Sequence, residues 1–170
     1  MATYDYTVGG NTRVGWTAEQ PVQIVNRLVD IAAVITADTD GDLGSSTIDA
    51  ASILQIIDVP DNTYVLQTNI RTITVSTTGT ITVDLGDGGE DDRYNEAVDL
   101  TATAGTNAWS NHANDSGSQQ IGSGHFYSAA DTIDLVFNNA TTNGIFVVQV
   151  AFINFRYQYL NTTTLLSSNV

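Results

Sequence analysis

The segment that most restricts the fold is residues 145–159, which is apolar on both faces of an extended chain. Alternate side chains of a strand point to opposite faces. One face takes Ile145, Val147, Ala151, Ile153, Phe155 and Tyr157, with only Gln149 polar among them. The other takes Phe146, Val148, Val150 and Phe152, and the pattern holds until Asn154. Such a strand is expected to be covered on both sides, by a second sheet and by another subunit. It is too short for a membrane helix, which needs about 18 apolar residues.

Other stretches point the same way. In residues 80–85, Ile81, Val83 and Leu85 alternate with Thr80, Thr82 and Asp84, the period of a half-buried strand. Residues 69–75 precede it through Ser76-Thr77-Thr78-Gly79, so the pair reads as a hairpin. Residues 53–59 and 63–66 flank a turn signal at Pro60-Asp61-Asn62. Residues 22–35 read as one long strand, with a bulge where polar residues interrupt it. Residues 133–137 read as a short strand, followed by a loop over 138–144. Ser46-Thr47 could cap a helix over 48–54, and residues 93–98 have mild helical character, but tertiary context decides such short stretches. About eight antiparallel strands joined by Gly, Asn and Asp turns predict an all-β single domain, a β-sandwich or jelly roll over residues 1–153. Residues 103–124 are the least regular stretch. Residues 154–170 read as a strand end and an arm, with Phe155, Tyr157, Tyr159, Leu160, Leu165 and Leu166 as the apolar contacts that would dock on a neighbouring subunit.

Composition agrees. Among 170 residues there are 24 Thr, 14 Asn and 14 Gly, while the strong helix formers Glu, Lys and Met are scarce. Cysteine is absent, which removes disulfides, thiolate metal sites and cysteine nucleophiles. Lysine is absent too, and five arginines stand against 19 acidic residues for a net charge of −14. Scattered arginines supply no phosphate-binding surface, so nucleic acid and anionic membranes are excluded as partners. The first residues lack the basic and apolar regions of a signal peptide, so no export by that route is expected.

Two acidic clusters could hold a cation. Asp38, Asp40, Asp42 and Asp49 fall at positions 1, 3, 5 and 12 of an EF-hand-like spacing that offers hard oxygens to calcium. Leu43 stands where the turn glycine belongs, and Asp49 replaces the longer Glu. An Asp-rich surface loop explains the motif better, so no cofactor is expected and calcium stays a weak candidate. The second cluster, residues 84–92, carries five carboxylates and reads as an exposed turn after a strand.

Catalysis finds little support, and the chain is read as a non-enzyme. His112 and His125 are the only histidines, and neither has a local nucleophile and carboxylate arranged for a triad. No nucleophile elbow or phosphate-cradling glycine loop is present. A hydrolase would need one of these histidines beside converging acids. The alternative reading, a carbohydrate-binding β-sandwich acting as a fibre or adhesin with help from calcium, would use Trp109 and the 103–124 loop.

Several phrases are shared with a known group. They are Met1-Ala2-Thr3-Tyr4-Asp5, Ile53-Leu54-Gln55-Ile56-Ile57-Asp58-Val59-Pro60, Val83-Asp84-Leu85-Gly86-Asp87-Gly88, Ala102-Thr103-Ala104-Gly105 and Phe126-Tyr127-Ser128-Ala129-Ala130-Asp131-Thr132-Ile133-Asp134-Leu135. Through them the chain resembles the head decoration, or cement, proteins of marine tailed bacteriophages. The resemblance covers most of residues 1–153; the Asp38 loop and the tail after residue 153 depart from it. It implies a virion structural protein on the outer capsid surface, with itself, as a homotrimer, and the major capsid protein as partners. It implies no catalytic residue. A lysine-free acidic surface suits salty water, where screening over a few ångströms lets highly charged copies sit together.

Overall fold

The computed structural model describes residues 3–5, 22–38, 46–110 and 124–155. Among them the elements are β1 (Thr3–Asp5), β2 (Gln23–Asp30), α1 (Ile31–Ala37), β3 (Ile53–Val59), β4 (Thr63–Thr74), β5 (Thr82–Asp87), β6 (Glu90–Asp99), β7 (Asn107–Trp109), β8 (His125–Tyr127), β9 (Asp131–Phe137) and β10 (Ile145–Asn154). They form a single all-β domain of two stacked sheets. Sheet one runs β1-β3-β9-β5-β6, and sheet two runs β2-β10-β4-β7 with β8 also on β4. Every pairing is antiparallel except β1 on β3. The expected sandwich is therefore present, with ten described strands where the sequence pointed to about eight.

The core lies between the sheets. Sheet one contributes Leu54, Ile57, Val83, Leu85, Leu135 and Phe137; sheet two contributes Val65, Ile70, Phe146, Val148, Val150 and Phe152. Period-2 alternation turns these positions inward, with a bulge in β3 between Gln55 and Ile57 and one in β4 between Val65 and Gln67 resetting the phase. Residues 103–124, expected to be irregular, include β7, and residues 111–123 lie outside the described set.

Two sequence expectations are corrected. Residues 22–35 are not one strand: β2 ends at Asp30 and the chain turns into α1. Asp30 Oδ1 accepts from the backbone N–H of Ala32 at 3.1 Å and of Ala33 at 3.3 Å, which caps the helix. Ile31 and Val34, three apart, then turn to the core, so the apolar period changes from two to three just after Asp30. The second correction concerns residues 69–75 and 80–85. They are not a hairpin, because β4 lies in sheet two and β5 in sheet one. Gly79 does take a positive φ of 112°, but the turn it serves is a corner between sheets. Alternation fixes which face of a strand is buried, not which strand lies beside it, and β4 pairs over its whole length with β10. Neither short stretch with helical character is a helix: Ile53–Val59 is β3, and residues 93–98 lie in β6.

Candidate functional site

The two outer faces of the sandwich differ in chemistry. On sheet one the outward positions include Asp58 beside Thr132 and Asp84 beside Val136, while Asp134, beside Gln55 in the same register, is 4% exposed. On sheet two the outward positions form rows across the strands. Leu28, Val147, Arg71 and Asn107 make one row; Asn26, Gln149, Asn69 and Trp109 make the next. Ile24, Ala151 and Gln67 follow, then Ile153, Tyr64 and Phe126. Four of these are large apolar residues left open to solvent: Leu28 at 56%, Ile24 at 53%, Trp109 at 49% and Phe126 at 46% exposure. The one carboxylate in register with these rows is Asp30, at the corner, and it is engaged in capping α1. In a chain of net charge −14, an almost carboxylate-free face of this size is a marked local departure.

A polar seam crosses that face. Gln149 Nε2 donates to Asn26 Oδ1 at 2.8 Å, and Asn69 Nδ2 donates to Asn107 Oδ1 at 3.2 Å. The amides thus run from β2 to β7 between apolar flanks. The strand β10 is buried only along Phe146, Val148, Val150, Phe152 and Asn154. Its other side, Ile145, Val147, Gln149, Ala151 and Ile153, is half-buried, so the expected cover on both faces is met within the chain on one of them.

Among the residues expected to form a subunit contact, Phe155 is the one described. It is 37% exposed and its ring lies 6.2 Å from that of Phe126, at the margin of the same face. Tyr157, Tyr159, Leu160, Leu165 and Leu166 lie outside the described residues. Of the calcium candidates, Asp38 ends α1 and Asp49 accepts from Thr47 Oγ1 at 2.8 Å. Asp40 and Asp42 lie outside the described residues, as does His112. Among the described residues, no group of three or more His, Cys, Asp or Glu side chains could hold a metal ion.

The most concentrated polar chemistry sits at one end of the sandwich, and sequence reading missed its core. Asp87, 2% exposed, receives the backbone N–H of Gly89 and Glu90 on Oδ1 at 2.9 and 3.0 Å. Its Oδ2 receives Arg93 Nε and, at 2.7 Å, the hydroxyl of Tyr127. Tyr94 donates in turn to Tyr127 across 2.6 Å. Arg93 also meets Glu90 at 3.3 Å and His125 Nδ1 at 3.1 Å. Tyr127 and His125 come from β8 of sheet two, while Asp87, Arg93 and Tyr94 come from β5 and β6 of sheet one, so the network ties the sheets together.

Its electrostatics follow from the bonding. Burial alone would raise the Asp87 carboxyl, but bonds from Tyr127, Arg93 and Gly89 and the Arg93 charge hold it below the usual carboxylate value. Burial raises both tyrosine hydroxyls, keeping them neutral. Burial and the adjacent Arg93 charge lower His125, so its Nδ1 is an acceptor for the guanidinium. Each oxygen of Asp87 already accepts two bonds. The arrangement is chemically a closed clasp: the hydroxyl beside the carboxylate is a neutral tyrosine, and the histidine faces a cation instead of a nucleophile. Nothing in the sequence brought these residues together, since the 84–92 cluster read as an exposed turn. The sequence signal was Asp87-Gly88-Gly89, an Asx-type turn that buries its carboxylate under its own backbone.

Two stacked, mostly antiparallel sheets with one short helix among the described residues define the fold class, a β-sandwich of the jelly-roll kind. Within that class, the chain has the fold of chains from three phage particles. A chain of the "Cyanophage Pam1 capsid asymmetric unit" is 18% identical with a TM-score of 0.56, matched over 86% of this chain and 97% of that one. A chain of the "Capsid of Ralstonia phage GP4" is 12% identical with a TM-score of 0.57, over 90% and 98%. A chain of the "Acidic stable capsid structure of Helicobacter pylori bacteriophage KHP30" is 11% identical with a TM-score of 0.52, over 79% and 88%. At these identities the likeness is one of fold. No family model and no curated protein sequence matches the chain.

Proposed function

We propose that this chain is a structural protein of a tailed-phage virion that decorates the outer surface of the head and stabilises it by binding the major capsid protein as an oligomer, a homotrimer by analogy with cement proteins. The observation that carries the reading is the whole-length fold likeness to chains of phage capsids, reaching 97% and 98% of two of them. A decoration protein needs a rigid body and binding faces, and no reaction. The sandwich supplies the body, and the exposed apolar face supplies one binding surface. Each occupied position then stabilises the shell by mass action. The proposal assigns no role to a cation, so removal of calcium by a chelator is expected to leave binding unchanged.

The test is co-sedimentation of purified protein with expanded heads that lack decoration, at marine ionic strength. Saturable binding with a fixed ratio to the capsid protein, and greater resistance of the bound heads to heat, is the expected result. Protein left in the supernatant at all ratios overturns the proposal.

Sugar binding retains one observation: Trp109 is half-exposed beside the amides of Asn69 and Asn107. A glycan array read with and without calcium decides it, and no signal removes it.

A further inference from the structure

We infer that the outer face of sheet two is where copies of this chain pack against one another, which leaves the acidic outer face of sheet one to other partners. The inference rests on the reading that the protein acts as an oligomer. It adds which surface does so, and why.

Charge points to the occupant. Two copies each carrying −14 repel over most of their surfaces. They can approach where carboxylates are missing, and the rows of β2, β10, β4 and β7 carry none apart from the engaged Asp30. A cationic partner would instead select sheet one, where Asp58 and Asp84 face outward. The neutral face therefore suits a partner that shares the chain's own sign, and the partner certain to share it is a second copy.

The chemistry of the face is self-complementary. The flanks are apolar, with Leu28 and Val147 on one side of the seam and Ile24, Ala151 and Ile153 on the other. Asn26 and Gln149 are amides, each both donor and acceptor, and keep capacity beyond the bond they share, so the seam can hydrogen-bond to amides on another copy; Asn69, 5% exposed, anchors the seam from beneath. A polar row inside an apolar contact also fixes register, as a buried Asn does in a coiled coil. Arg71, the one cation of the face, has exposed aromatic rings available on the facing copy in Trp109 and Phe126. Size agrees as well. Eight residues of β2 at about 3.3 Å each and four strands about 4.8 Å apart span roughly 500 Å² in projection. Corrugation raises the accessible area above the projection, toward the roughly 800 Å² per partner of a stable contact.

The test is the native mass by sedimentation, across a concentration series, of the full chain and of Leu28→Glu and Ile24→Glu. Both side chains are more than half exposed, so the isolated fold tolerates a charge there. The expected result is an oligomeric wild type and variants whose association is roughly 100-fold weaker or more, because each buries an unpaired charge in the contact. Near-UV circular dichroism reports whether the variants fold. Because the chain has no cysteine, Leu28→Cys supplies a unique thiol, and capture of linked copies by a short bis-maleimide reads the same contact without disrupting it. An oligomer that survives both glutamates, or a Leu28→Cys protein that does not cross-link, overturns the inference. So does a wild type that is monomeric throughout. If that monomer still binds heads, the decoration reading stands and the self-contact falls; if Leu28→Glu then abolishes head binding, the face belongs to the shell.

Discussion

Replacing Tyr127 by Phe tests the clasp that joins the two sheets. The hydroxyl it removes does two jobs at once. It donates to the buried, charged Asp87 at 2.7 Å and accepts from Tyr94 at 2.6 Å. Loss of a hydrogen bond to a charged group costs about 1.5–3 kcal/mol, and leaving the Tyr94 hydroxyl buried without an acceptor costs about 1–3 kcal/mol more. Tyr94 is 5% exposed, so water does not readily replace the lost partner. The sum is about 2.5–6 kcal/mol, a large part of the roughly 5–15 kcal/mol by which a domain is stable. In a chain of this length it corresponds to a fall in melting temperature of roughly 5–24 °C. Tyr94→Phe is expected to cost far less, about 0.5–1.5 kcal/mol, because Tyr127 keeps its acceptor. The double variant should then cost less than the two singles together, since the orphaned hydroxyl is gone, with a coupling of about 1–2 kcal/mol. Urea unfolding at pH 7, with equal slopes in all four proteins, measures every term. Strict additivity, or a Tyr127→Phe protein within about 0.5 kcal/mol of wild type, would refute the account of the clasp as a linked chain of bonds.

Two further outcomes follow from single positions. Asp134, 4% exposed, is pushed up to about 6 by burial, with Asp131, Asp87 and Asp91 adding to the rise against a bond from Thr132. The folded state therefore holds a proton that the unfolded chain, with a carboxyl near 3.9, gives up. Stability should fall as pH rises from about 4 through about 6, and Asp134→Asn should flatten that slope and raise the melting temperature at pH 7; a wild type whose slope in that window equals the variant's removes the reasoning. Gly86 sits in β5 where an added Cβ would lie 2.0 Å from the backbone oxygen of Glu90, an atom that cannot yield without moving β6. Gly86→Ala should abolish or strongly reduce soluble folded protein, whereas Gly79→Ala, with open space around it, should lose only the cost of its positive φ; equal yields of the two would contradict this.

What could be read from the sequence was what repeats every two residues. The inward rows of β5, β9 and β10 follow from alternation, and so did the all-β class. What could not be read was adjacency. Residues 69–75 and 80–85 alternate equally well as hairpin partners and as members of opposite sheets, and only the pairing of β4 with β10 decides between them. Helix α1 was hidden because residues 31–35 are apolar throughout, so the change of period leaves no polar mark beyond Asp30 itself. The outer face of sheet two was half legible. Its β10 contribution stood out as surplus apolar residues, but Ile24, Leu28 and Trp109 joined it only through register. The Asp87 clasp was legible only at its Asp87-Gly88-Gly89 turn, since its members are up to 40 positions apart and each has an ordinary surface explanation by itself.

The strand order has a consequence for how the protein is made. The strand between β3 and β5 in sheet one is β9, and the strand between β2 and β4 in sheet two is β10. Both central strands come from the last part of the described chain, residues 131–154, while β2 must wait for a partner 115 to 129 positions downstream. Synthesis delivers the chain from its N-terminus at about 5–20 residues per second. For most of that time the apolar sides of β2, β3, β4 and β5 have emerged without the strands that will lie between them. Neither sheet closes until residues 131–154 have emerged. Folding is thus a late, largely single event dominated by distant pairings, which makes it slow and leaves the nascent chain dependent on its own acidity, or on a chaperone, to stay apart from its neighbours.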